Sequence, residues 1–68
     1  MSKGKVKYFN DVKGWGFISA DQEDRDVYVH YRNINMEGYR TLREGQHVVF
    51  DLALTDRGPE AHNVQPFQ

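Results

Sequence analysis

The sequence predicts an all-β chain folded as a small five-stranded antiparallel barrel. Three observations predict it. Short runs of β-branched and aromatic residues recur along the chain, and no segment shows helical amphipathicity over two turns. Turn chemistry separates the runs, as in Asn10-Asp11-Val12-Lys13-Gly14 and Thr55-Asp56-Arg57-Gly58-Pro59. The chain has only 68 residues, one domain's worth spanning 1–68, and closure is how so small a sheet removes its exposed edges.

The first strand is predicted over Lys5-Val6-Lys7-Tyr8-Phe9-Asn10. Tyr8 and Phe9 are adjacent rings and cannot both point outward from a regular strand, so one turns inward or a bulge intervenes. The turn Asn10–Gly14 joins it as a hairpin to a second strand, Trp15 to Ser19. Ala20 to Arg25 is a polar connection, and its acidic run reads as a solvated turn. Asp26 to Tyr31 is the third strand. No period holds from Arg32 to Gly45; Arg32-Asn33-Ile34 suits a single helical turn, and Tyr39 and Leu42 lie in the loop. Gln46 to Leu54 is the longest strand signal. Pro59 suits the start of the last strand, Glu60 to Phe67, where a missing N–H is tolerated. The predicted interior is Val6, Ile18, Val27, Val29, Val48, Phe50 and Leu52, with Ile34, Leu42 and Val64 closing the ends. Gly14 and Gly16 can supply the twist that so small a barrel requires.

Two alternations carry the functional signal: Lys13-Gly14-Trp15-Gly16-Phe17-Ile18 and Val27-Tyr28-Val29-His30-Tyr31. Successive side chains of a strand point to opposite faces. Trp15 and Phe17 therefore share one face, as do Tyr28 and His30. Val27 and Val29 claim the core, which leaves the rings outside. Exposed aromatic patches mark binding sites, and bases of a single-stranded nucleic acid offer faces to stack on.

The formal net charge is only −1, but it is unevenly distributed. Residues 1–20 carry Lys3, Lys5, Lys7 and Lys13 against Asp11 alone; residues 21–26 carry Asp21, Glu23, Asp24 and Asp26 against Arg25 alone. Seven of the nine aromatic residues lie in the first 39 positions, so rings and lysines overlap. That combination fits base stacking with modest phosphate contact, and not a duplex binder that neutralises many phosphates. There is no cysteine for disulfides or thiolate ligands. His30, His47 and His62 lack metal-ligand spacing, so no metal or other cofactor is expected. Neither a nucleophile–base pattern nor an arguable acid–base pocket is present, so an enzyme is not expected. Without an apolar run of about 18 residues or a signal-like start, no membrane partner is expected and the cytoplasm is the default compartment.

Lys13–Ile18 and Val27–Tyr31 resemble the two ribonucleoprotein motifs of the cold-shock domain. Gly4–Asn10, Glu44-Gly45-Gln46, Arg57-Gly58-Pro59 and Ala61-His62-Asn63-Val64 match in order and spacing, so the similarity to bacterial cold-shock proteins covers nearly the whole chain. The resemblance implies an OB-fold barrel that binds single-stranded RNA and DNA and serves as an RNA chaperone in transcription and translation. It implies a stacking set of Tyr8, Trp15, Phe17, Tyr28, His30, Tyr31 and Tyr39, with polar or phosphate contacts from Lys7, Lys13, Asp26 and Arg57, and Phe9 and Asn10 at matching edge positions. The chain departs from the family in placing Tyr8 where tryptophan is frequent and Trp15 where phenylalanine is usual. Tyr28, Tyr31 and Tyr39 also replace phenylalanine, Arg32-Asn33 replaces a Ser-Ala pair, and His62 replaces alanine. A monomer with weak or no duplex binding is expected. The competing readings are a protein-binding barrel that grips an extended peptide with the same rings, and a structural subunit that buries them in an oligomer.

Overall fold

Five strands close on themselves in the computed structural model, which describes residues 1–67: β1 (Ser2–Asn10), β2 (Trp15–Ala20), β3 (Val27–His30), β4 (His47–Thr55) and β5 (Gly58–Pro66). The order around the barrel is β1-β2-β3-β5-β4. The antiparallel barrel expected from sequence is present in four of the five pairings; the closing one, β3 against β5, is parallel through Tyr28 and Glu60. A parallel bridge between Ile34 and Val64 continues that seam. The chain returns to β3 by the long route through β4, so β5 arrives running the same way.

Both expected resolutions of the Tyr8–Phe9 conflict occur. The β1–β2 register runs Val6↔Ile18 and then Tyr8↔Phe17, so Lys7 is an extra residue on β1. This bulge lets Lys7 and Tyr8 both face solvent while Val6 and Phe9 both face inward. Phe9, expected among the nucleic-acid contacts, is instead a core residue at 9% exposure.

The core comprises Val6, Phe9, Ile18, Val27, Val29, Ile34, Leu42, Val48, Phe50, Ala61 and Val64. Leu52, expected among them, is 39% exposed. The reason is the length of β1. It pairs with β4 only as far as Ser2↔Phe50, so beyond Phe50 the β4–β5 hairpin runs on without a neighbour to cover Leu52 and Leu54. A second bulge aids that exit. Two steps on β4, Val49 to Asp51, match three on β5, Gln65 to His62, and Asn63 takes a left-handed φ of 54° there. Asparagine tolerates that conformation better than most residues.

The remaining connections follow their chemistry. Tyr31–Asn33 forms a single 3-10 turn, one residue earlier than expected. In the acidic connection, Glu23 accepts hydrogen bonds from the backbone N–H and the Nε of Arg25, both at 3.2 Å. The side-chain bond, chiefly, holds the Glu23 carboxyl below its ordinary pKa.

Candidate nucleic-acid interface

Strand register assembles the rings. Trp15 lies opposite His30 and Phe17 opposite Tyr28 in the β2–β3 ladder; Tyr8 lies opposite Phe17 across β1–β2. Cross-strand neighbours on one face are close enough for aromatic contact. Tyr8 and Trp15 have ring centroids 5.9 Å apart at 62°, Trp15 and Phe17 5.9 Å at 81°, and Phe17 and Tyr28 6.0 Å at 67°. These are edge-to-face contacts, the arrangement favoured by ring quadrupoles. None is a parallel sandwich, so no ring pair is closed face to face against a ligand.

Gly16 makes this spacing possible. A Cβ there would stand 2.6 Å from Phe9 Cα and also strike the Tyr8 carbonyl. Only glycine lets β1 and β2 approach this closely between the two ring positions. At the preceding turn, Gly14 has φ 79°, and a Cβ would run into the Tyr31 ring.

At the other end of the platform the His30 and Tyr31 rings lie 4.5 Å apart, tilted by 32°. His30 Nδ1 accepts the Arg32 backbone N–H at 3.2 Å, which leaves Nε2 to carry the proton of the neutral ring. The Tyr31 N–H donates to the Gly14 carbonyl at 2.8 Å, fixing the start of the 3-10 turn against the first hairpin.

The loop carrying Tyr39 is fastened across the same hairpin. The Tyr39 hydroxyl donates to the Asp11 carbonyl at 2.7 Å, and the Thr41 hydroxyl donates to the Asp11 carboxylate at 2.6 Å. Between loop and hairpin opens a cleft of about 360 Å³ lined by Val12, Tyr31, Tyr39 and Arg40 among others. A second cleft of about 240 Å³ joins Phe17 and Tyr28 to Arg57 and Pro59. The two clefts flank the ring row.

The polar members have distinct situations. Lys7 Nζ lies 3.2 Å from both carboxylate oxygens of Asp26, an exposed ion pair beside Tyr8. The Asp26 carboxylate keeps further lone pairs able to accept hydrogen bonds. Asn10 is largely committed to the turn: its Oδ1 accepts the Val12 and Lys13 N–H groups at 3.0 and 2.9 Å, and its Nδ2 donates to the Tyr8 hydroxyl at 3.3 Å. Lys13 and Arg57 are exposed, and no ion pair of either is present among the described residues.

Of the thirteen residues singled out from sequence, the structure brings all but Phe9 to the outer surface of β1–β3 and its flanking loops. Val12 and Arg40, not singled out from sequence, also line the cleft of Tyr31 and Tyr39. Val12 is 95% exposed beside Tyr31 and Tyr39, and an apolar residue inside an otherwise polar turn is the signal that could have found it. Among the described residues no cluster of His, Cys, Asp or Glu could hold a metal ion, and no helix is long and apolar enough to cross a membrane.

Known proteins resemble this chain in sequence and in fold. The model of the 'Cold-shock' DNA-binding domain matches residues 2–67. Cold shock protein ScoF of Streptomyces coelicolor is 52% identical over 66 residues, covering 97% of this chain and 98% of its own. Cold shock protein CspA of Staphylococcus saprophyticus is 53% identical over 64 residues, covering 94% and 96%. The solved structure of drosophila Unr CSD456 superposes with a TM-score of 0.82 at 13% identity over 98% of this chain, which spans 26% of that one; this likeness supports the fold alone. A family match over nearly the full length, on a closed five-stranded barrel, shows that the chain belongs to the cold-shock domain family, whose members bind nucleic acid.

Proposed function

We propose that the chain binds single-stranded RNA and DNA by stacking splayed bases on Tyr8, Trp15, Phe17, Tyr28, His30, Tyr31 and Tyr39, and acts as an RNA chaperone that melts or prevents secondary structure. The observation that carries this is the continuous ring row from Tyr8 through Trp15 and Phe17 to Tyr28, partly exposed and without parallel closure. Lys7, Lys13 and Arg57 touch the backbone, and Asp26 accepts a hydrogen bond from a base amine.

Magnitudes favour stacking as the main source of affinity. Each base–aromatic stack is worth about 1–3 kcal/mol. An exposed ion pair is worth about 0.2–1 kcal/mol. Three stacks therefore outweigh three exposed phosphate contacts. Duplexes hide the faces of their bases and bind weakly. A protein that holds only unpaired bases shifts the equilibrium of a hairpin toward its open form by mass action. Such a chaperone needs no catalytic group, and a cytoplasmic monomer suits it.

The test is a fluorophore–quencher RNA hairpin mixed with increasing protein. Opening at stoichiometric protein, shifted to about tenfold or more higher protein with a Phe17→Ala variant, supports chaperone action. Tight binding to an unpaired control with no opening of even a weak hairpin would reduce the role to passive binding.

A further inference from the structure

We propose a polar subsite beyond the aromatic platform that holds one phosphodiester of the same bound strand, formed chiefly by Arg32 and Arg40 with Asn63. It rests on the single-strand binding proposed above. The place is a recess of about 200 Å³ lined by Arg32, Asn33, Ile34, Asn35, Arg40 and Asn63.

Continuity is the first reason. Arg40 also lines the cleft of Tyr31 and Tyr39, so the apolar cleft and the polar recess share a wall. Arg32 follows Tyr31 directly, and its backbone N–H is anchored to the His30 ring. A strand leaving the last stacked base at Tyr31 passes over Arg40 into the recess.

Charge is the second. Both arginines are exposed, and neither takes part in an ion pair among the described residues, where the pairs are Lys7–Asp26, Arg25–Glu23 and His62–Glu60. No carboxylate lines the recess. Two guanidinium groups facing one polar space repel each other until an anion enters, and a phosphate oxygen pair matches the guanidinium fork.

Chemistry of the lining is the third. It contains no ring, so a base has nothing to stack on there, whereas the asparagines supply amide donors. Asn35 Nδ2 donates to Asn63 Oδ1 at 3.1 Å, which orients the Asn63 amide and leaves its own Nδ2 free to donate. The bulge that puts Asn63 at φ 54° places it at the recess.

The experiment compares short and long oligothymidines, of about four and eight nucleotides, on the wild type and on Arg32→Gln and Arg40→Gln. One extra neutralised phosphate steepens the log–log salt slope by about 0.7 for a single strand, an added loss of about threefold between 50 and 200 mM salt. With the long oligonucleotide the wild type should show a slope about 0.7 steeper than either variant, a comparison in which the platform contacts added by the longer strand cancel. Each variant should lose about two- to fivefold affinity for the long one, the span of an exposed ion pair, and Arg32→Gln should bind the short one as the wild type does. Unchanged melting temperatures, expected for exposed side chains, exclude misfolding. Variants that keep the wild-type length dependence and salt slope overturn the subsite while leaving platform binding intact. Wild-type failure to bind either oligonucleotide overturns the platform reading and the subsite with it. Saturation of the Asn33 and Asn63 amide shifts by inorganic phosphate, without any length effect, would assign the recess to a free anion and overturn the strand path.

Discussion

Phe17 and Tyr28 lie directly opposite each other in the β2–β3 ladder, and their rings meet edge to face with centroids 6.0 Å apart. Their neighbours on the inner face are Ile18, Val27 and Val29, all fully buried. One strand pair thus carries the core on one side and the candidate ligand surface on the other. If bases stack on the ring face as proposed, binding and stability should be separable by face.

Phe17→Ala and Tyr28→Ala should each weaken single-strand binding by about tenfold or more, from the loss of one stack. The barrel should stay folded at room temperature, because neither ring belongs to the core. Oligonucleotide titration alongside circular dichroism checks both parts. Unfolding of these variants would return the rings to a structural role.

Tyr8 and Phe9 provide the converse contrast. Phe9→Ala removes a core ring and should cost about 3–5 kcal/mol. A domain of this size has little stability to spare, so thermal denaturation should find the variant largely unfolded. Tyr8→Ala, at a 40% exposed position, should keep its melting temperature within a few degrees and lose affinity instead.

Gly16→Ala should be as damaging as a core truncation. Its methyl group would meet Phe9 Cα at 2.6 Å and the Tyr8 carbonyl, both of them backbone that cannot rotate away. Gly38→Ala is the control: nothing lies within 4 Å of its Cβ position, though its φ of 75° makes a smaller penalty of about 1 kcal/mol expected. Comparison of melting curves distinguishes the two.

Salt dependence reports the balance of stacking and charge. With about three phosphates neutralised by the platform lysines and Arg57, the log–log slope should be near −2. Affinity measured from about 50 to 400 mM salt gives it. A slope steeper than about −5 would mean that phosphate contact, and not stacking, supplies most of the affinity.

Alternation makes the ring face legible in the sequence: once Val27 and Val29 are inside, Tyr28 and His30 are outside. Local pattern does not show bulges or where a neighbouring strand ends. Phe9 turns inward because Lys7 is inserted as an extra residue on β1. Leu52 comes out because β1 stops pairing at Ser2↔Phe50, a fact of tertiary length that β4's own alternation cannot reveal. The clefts depend on loop placement, so Arg40 joins the site only through the folding of the 31–45 segment over Asp11.

Trp15 is the only tryptophan and lies between Tyr8 and Phe17 in the ring row. Its fluorescence, titrated with a short oligothymidine beside a duplex of the same length, tests stacking most directly. Saturable quenching by the single strand, with little change from the duplex, is the predicted result. Equal affinity for both, or no binding of the single strand by fluorescence and by an independent assay, would contradict base stacking on this face.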